Sequence, residues 1–115
     1  LFRLPGRVGY GKAMEMAITA DPITAEEAAD HGLVARLTEP GQALQEALAL
    51  AERVARNAPL AVAASKQVIR ATQGATEEEL WAIQRPLQEK VFASDDAREG
   101  PRAFAEKRPP EWSGT

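Results

Sequence analysis

Residues 94–108 read Ser94-Asp95-Asp96-Ala97-Arg98-Glu99-Gly100-Pro101-Arg102-Ala103-Phe104-Ala105-Glu106-Lys107-Arg108. A serine followed by two aspartates marks a helix start, because the hydroxyl accepts a free backbone N–H and negative charge suits the positive end of the helix dipole. Gly100-Pro101 falls mid-run, which predicts one helical turn, a break, and a new helix with Pro101 at its first position. Beyond that break Phe104 and Lys107 stand three residues apart and so share a face. Arg98, Arg102, Lys107 and Arg108 crowd the same run. Pro109-Pro110 stops the helix, and 111–115 is expected to be extended.

Working outward, the chain is built from the strong helix formers alanine, leucine, glutamate, lysine, arginine and glutamine. Thr76 with Glu79 is a capping box, hydroxyl forward and carboxylate back, opening a helix along Leu80, Ile83, Leu87 and Val91. Pro86 inside that helix predicts a kink or break. Pro59 opens a helix through Leu60, Ala64, Val68 and Thr72 to Gly74. Gln42 to Asn57 has the clearest amphipathic pattern, with Leu44, Ala47, Leu48, Ala51, Val54 and Ala55 on one face. Thr24 with Glu27 is a second capping box, and Gly32 sits where a left-handed residue ends a helix most cheaply. Leu33 to Thr38 reads as a short strand. Lys12 to Thr19 carries a short apolar stripe, and Leu1 to Gly11 reads as a loop feeding it. The total is about six helices with at most one or two short strands, a mainly α chain.

Composition bounds what such a chain does. Of 51 apolar residues among 115, 23 are alanine, so only 28 side chains of valine size or larger are available for a core. A core that thin predicts reliance on a partner or on further sequence. Cysteine is absent, which removes disulfides, thiol nucleophiles and cysteine-bound metals, and a single histidine excludes a multi-histidine site. No run approaches the ~20 apolar residues a membrane helix needs. A pI near 5.2 argues against a general nucleic-acid binder. The chain reads as soluble, without a signal peptide, and cytoplasmic.

The chemistry-bearing residues are few. His31 sits in the last turn of the Thr24 helix, where a donor meets free carbonyls, and reads as structural. Glu26/Glu27, Asp95/Asp96 and Glu77-Glu78-Glu79 all fall at helix starts and read as capping charge rather than catalytic carboxylate pairs. Gly6, Gly9 and Gly11 lack the preceding strand and the Gly-Lys-Ser/Thr ending of a phosphate loop. A ring beside an ammonium is one way to hold a purine and its phosphate. On residues alone, Phe104 nevertheless reads as a packing residue and Lys107 as a solvated one.

A resemblance changes that weighting. Ser94-Asp95-Asp96-Ala97-Arg98-Glu99-Gly100, followed by Ala103-Phe104-Ala105-Glu106-Lys107-Arg108 and Pro110, closely resembles the C-terminal signature of the enoyl-CoA hydratase/isomerase (crotonase) family. Gly11-Lys12-Ala13-Met14-Glu15, Ile23-Thr24-Ala25-Glu26-Glu27-Ala28 with Gly32-Leu33-Val34, and Ala58-Pro59-Leu60-Ala61 with Ser65-Lys66 agree in the same order. The resemblance implies the C-terminal helical, trimer-building region of a crotonase-like α/β fold. Residues 1–38 would close the core and 39–115 would form the helical oligomerisation region.

The resemblance further implies an enzyme of enoyl-CoA thioesters in fatty-acid metabolism, a hydratase or isomerase. Its oxyanion hole and acid/base glutamates are expected upstream of Leu1, so no catalytic residue maps here and the chain alone is expected to be inactive. No cofactor and no metal is implied; the coenzyme A thioester is the substrate. Phe104 and Lys107 match the residues that contact the adenosine end of coenzyme A across subunits. The implied partners are acyl-CoA and further copies of the chain, as a trimer or a dimer of trimers, without nucleic acid or membrane. The competing expectations are a non-enzymatic helical self-association module and a CoA-binding fragment without turnover.

Overall fold

In a computed structural model, which describes residues 1–72 and 74–115, seven helices and no strand are found among the described residues. The chain divides into two compact units, Leu1–Glu46 and Ala47–Thr115.

The first unit holds α1 (Pro5–Val8), α2 (Tyr10–Thr19) and α3 (Ala25–Asp30), and the start of α4 (Ala43–Ala55). The expected opening loop is in part helical: Pro5 supplies the first position of α1, and Gly9, at φ +80°, turns the chain into α2. Both ends of α3 follow the sequence. Thr24 Oγ1 accepts the Glu27 N–H at 3.1 Å, and Glu27 Oε2 accepts the Thr24 N–H at 2.9 Å. That second bond lowers the Glu27 carboxyl below the usual range. Gly32 takes φ +72° and ends the helix, its N–H donating to Ala29 and the Leu33 N–H to Ala28.

The expected strand over Leu33 to Thr38 does not form. The N–H groups of Leu33 and Val34 both donate to the Ala28 carbonyl and so belong to the helix end. No second extended segment pairs with this stretch among the described residues, and an unpaired strand leaves its backbone polar groups unmet. Leu33, Val34 and Leu37 are exposed instead.

The second unit holds the rest of α4, then α5 (Pro59–Ala71), α6 (Glu77–Ala93), α7 (Asp95–Glu106) and an extended tail. Helix α5 packs on α6, and α6 on α7. Gln73, which the sequence reading places near the end of the Pro59 helix, lies outside the described residues. Pro86 does not break α6, which runs through it. Nor does Gly100-Pro101 divide α7, contrary to expectation. A residue before proline is pushed from helical backbone by clashes at its own N–H and Cβ, and Gly100 lacks the second of these. The space beside Gly100 is filled by the Trp112 ring, 3.4 Å from where a Cβ would stand.

Little is buried. The buried apolar residues described are Val8, Ala13, Ala28 and Ala103, none of them large. On α4 no residue is buried, and Leu44, Leu48 and Val54 of its apolar face are exposed. The thin core anticipated from composition is thus observed as uncovered helix faces. No helix among the described residues is long and apolar enough to cross a membrane.

Candidate functional site

The end of α7 gathers both candidate residues, and the site builds from its start. Ser94, buried between α6 and α7, donates to the Val91 carbonyl and accepts the Ala97 N–H at 3.1 Å, capping α7. Arg98 pairs with Asp95 at 2.7 Å, one turn back along the helix. Asp96 has a further role that capping does not predict. Only 4% exposed, its carboxylate accepts the Ser113 N–H at 2.7 Å and the Gly114 N–H at 3.1 Å.

That tail is fixed at three more points. Trp112 Nε1 donates to the Arg56 carbonyl at 2.7 Å. The Asp95 N–H donates to the Thr115 carbonyl at 2.7 Å. The Glu111 N–H donates to Glu99 at 2.8 Å. The tail is therefore extended, as expected, and also pinned back along α7.

The helix ends at Lys107, which adopts left-handed backbone at φ 54° and ψ 37°. Its N–H reaches the Phe104 carbonyl, and the Arg108 N–H reaches that of Ala103. Arg108 then folds back on the helix. Its Nη2 donates to Glu99 Oε2 at 2.9 Å, its Nη1 to Glu99 Oε1, and its Nε to Glu106 Oε2 at 2.6 Å. The Arg108 guanidinium, helped by the Glu111 N–H, holds the Glu99 carboxyl down at about 2. Arg102 also pairs with Glu106, at 3.0 Å. The carboxyl of Glu106 is lowered by Arg108 first and Arg102 second.

Phe104 and Lys107 emerge from this frame toward solvent. The Phe104 ring is 87% exposed, whereas Ala103 beside it is 1% exposed and anchors the helix. Of the four cations on residues 94–108, Lys107 alone makes no ion pair among the described residues. Packing within this chain therefore does not account for Phe104. Lys107 lies one residue past the helix in left-handed backbone, so the shared helical face expected for Phe104 and Lys107 is not set by helix geometry. An open aromatic face can stack on a flat heterocycle, and a free ammonium can meet phosphate.

Elsewhere the readings hold at the level of local structure. Glu26 and Glu27, Glu77 to Glu79, and Asp95 and Asp96 occupy the first turns of α3, α6 and α7. His31 caps the end of α3, its N–H donating to Glu27. A groove of about 340 Å³ lies between α5 and α6, lined mainly by Ala61, Ala64, Val68, Leu87 and Val91. Sequence reasoning missed the Glu99–Arg108 pair, whose nine-residue spacing matches no helical periodicity. It also missed the anchoring of Trp112, for which a tryptophan placed beyond Pro109-Pro110 was the available signal.

Comparison with known proteins places these features. A family model described as enoyl-CoA hydratase/isomerase matches residues 1–115. Enoyl-CoA hydratase EchA19 of Mycobacterium tuberculosis is 46% identical over 108 residues, 94% of this chain and 41% of that protein. Carnitinyl-CoA dehydratase of Proteus mirabilis is 40% identical over 118 aligned positions, 99% of this chain and 45% of its own length. Among solved structures, enoyl-CoA hydratase EchA1 from Mycobacterium marinum superposes with a TM-score of 0.92 at 49% identity, covering 99% of this chain and 45% of that one. The chain thus spans less than half the length of the relatives it matches.

Proposed function

The chain belongs to the enoyl-CoA hydratase/isomerase family, and on that premise we propose that it forms the C-terminal helical part of an enzyme acting on enoyl-CoA thioesters. In this reading residues 1–38 close the catalytic core and residues 39–115 build the subunit contacts. The oxyanion hole and the acid/base glutamates come from sequence preceding Leu1, so the chain by itself does not turn over substrate. Preorganised backbone donors of that kind supply most of the stabilisation an enolate intermediate requires. The enzyme works in the cytoplasm, in fatty-acid metabolism, and needs no cofactor beyond its thioester substrate.

This chain contributes two things. Phe104 stacks on the adenine of coenzyme A held by a neighbouring subunit, and Lys107 meets a phosphate of the same group. The apolar face of α4 and the groove between α5 and α6 supply association surface for a trimer or a dimer of trimers. Helix faces with leucines exposed to this extent are costly to leave wet.

The observation that carries the reading is the 87% exposed Phe104 ring three residues before Lys107, a cation that makes no ion pair among the described residues. The two relatives described support it from another side. Their names share coenzyme A and differ in the acyl group, enoyl in one and carnitinyl in the other. A contact to the coenzyme end suits both.

Hydration of crotonyl-CoA, followed by loss of enone absorbance, tests the proposal. The protein containing this chain behind its upstream sequence is expected to turn over, and the 115-residue chain alone is not. Absence of both turnover and coenzyme A binding in the longer protein would refute the reading in favour of a self-association module.

A further inference from the structure

Two helices of this chain end with the same pair of backbone bonds, and the contrast between them is informative. At the end of α3 the left-handed position is Gly32, at φ +72°, where glycine adopts that backbone freely. At the end of α7 the same position is Lys107, at φ 54°. A lysine there crowds its Cβ against the neighbouring carbonyl, as Ala20 does at the end of α2, but Lys107 differs in having both neighbours held by ion pairs. Arg108, the next residue, is bonded through both terminal nitrogens to Glu99 and through Nε to Glu106, the residue on the other side of Lys107. The two neighbours of Lys107 are therefore locked to each other and to the body of α7.

The same bonds settle the local charge. Glu106 is taken by Arg102 and Arg108, and Glu99 by Arg108 and the Glu111 N–H. Both carboxylates are thereby engaged by other donors, and Lys107 makes no ion pair among the described residues. A planar guanidinium binding a carboxylate through two parallel bonds fixes orientation in a way that an ammonium does not.

We infer that Glu99 and Arg108 are positioning residues for coenzyme A binding, holding Lys107 in its left-handed turn and freeing its ammonium for an anionic group of the ligand. The inference rests on the reading of Phe104 and Lys107 as coenzyme A contacts. Neither Glu99 nor Arg108 needs to touch the ligand; each acts through Lys107.

The test uses the complete enzyme, with coenzyme A titrated by calorimetry and crotonyl-CoA turnover measured alongside. Arg108→Met and Glu99→Gln are each expected to weaken coenzyme A binding roughly tenfold, the scale of one charge-assisted contact, raising KM while kcat stays near its original value. Arg108→Lys, which keeps the charge but not the fork, is expected to behave like Arg108→Met. In a Lys107→Gly background the affinity is already reduced, and adding Arg108→Met is expected to change it little further, because the residue it acts through is gone. Arg108→Met and Glu99→Gln variants that keep full affinity, while Lys107→Ala loses it, would overturn the inference and leave the contact reading standing. Unchanged affinity in Lys107→Ala and Phe104→Ala would overturn both. If Arg108→Met does not fold, Glu99→Gln with its KM and kcat decides the matter alone.

Discussion

The carboxylate of Asp96 accepts the backbone N–H of Ser113 at 2.7 Å, joining the first turn of α7 to the tail 17 positions later. The Gly114 N–H shares the same carboxylate, and Asp96 is almost wholly buried beneath the tail. Asp96→Ala leaves these donors without a partner, and a hydrogen bond to a charged group together with an orphaned donor is worth about 3 kcal/mol. Urea unfolding followed by tryptophan fluorescence is expected to show that loss, with Asp96→Asn intermediate. A change below about 0.5 kcal/mol, the range of ordinary surface substitutions, would mean that the tail is not held by this bond.

A pH dependence follows from Glu99. Its carboxyl is held at about 2, against an ordinary 4.5, by Arg108 and the Glu111 N–H. A carboxyl lowered on folding stabilises the folded state above its unfolded value and loses that contribution as pH falls through its folded one. The stability difference between the protein and Glu99→Gln is therefore expected to be constant above about pH 5 and to shrink between about pH 4.5 and 2. Chemical denaturation at a series of pH values measures it. A difference that stays flat through that window would contradict the paired geometry.

The left-handed helix ends at Gly32 and Lys107 give opposite expectations. Gly32→Ala forces a Cβ into left-handed backbone at a cost of about 1 kcal/mol. Its nearest neighbour, the Arg7 carbonyl oxygen at 3.6 Å, is at ordinary contact distance, so the loss is conformational. Lys107→Gly relieves the same strain and is expected to raise stability by up to about 1 kcal/mol while weakening coenzyme A binding. Thermal unfolding of the two variants checks the signs. A Lys107→Gly protein less stable than its parent would show that the lysine is no burden to the fold.

These residues also mark how far the sequence could be read. The capping boxes at Thr24/Glu27 and Thr76/Glu79 were legible because each is complete within four residues, and Gly32 because glycine announces its own backbone. The helical pattern of α4 was equally legible, and its exposed Leu44 and Leu48 agree with the scarcity of large apolar residues. Leu33 to Thr38 misled because its β-compatible side chains suggest a strand whose partner the chain does not supply, while two of its N–H groups end α3 instead. Gly100-Pro101 misled because the pair looks like a break, yet α7 runs through it just as α6 runs through Arg85-Pro86. The Glu99–Arg108 pair was illegible because it depends on a lysine in a glycine's conformation, which no residue preference places there.

The central claim is that the exposed end of α7 contacts coenzyme A. Calorimetric titration of the complete enzyme with coenzyme A, compared with its Phe104→Ala and Lys107→Ala variants, tests it most directly. Each variant is expected to bind roughly tenfold more weakly, consistent with the loss of one stacking or one charge-assisted contact. Affinities equal to that of the unaltered enzyme in both variants would contradict the claim.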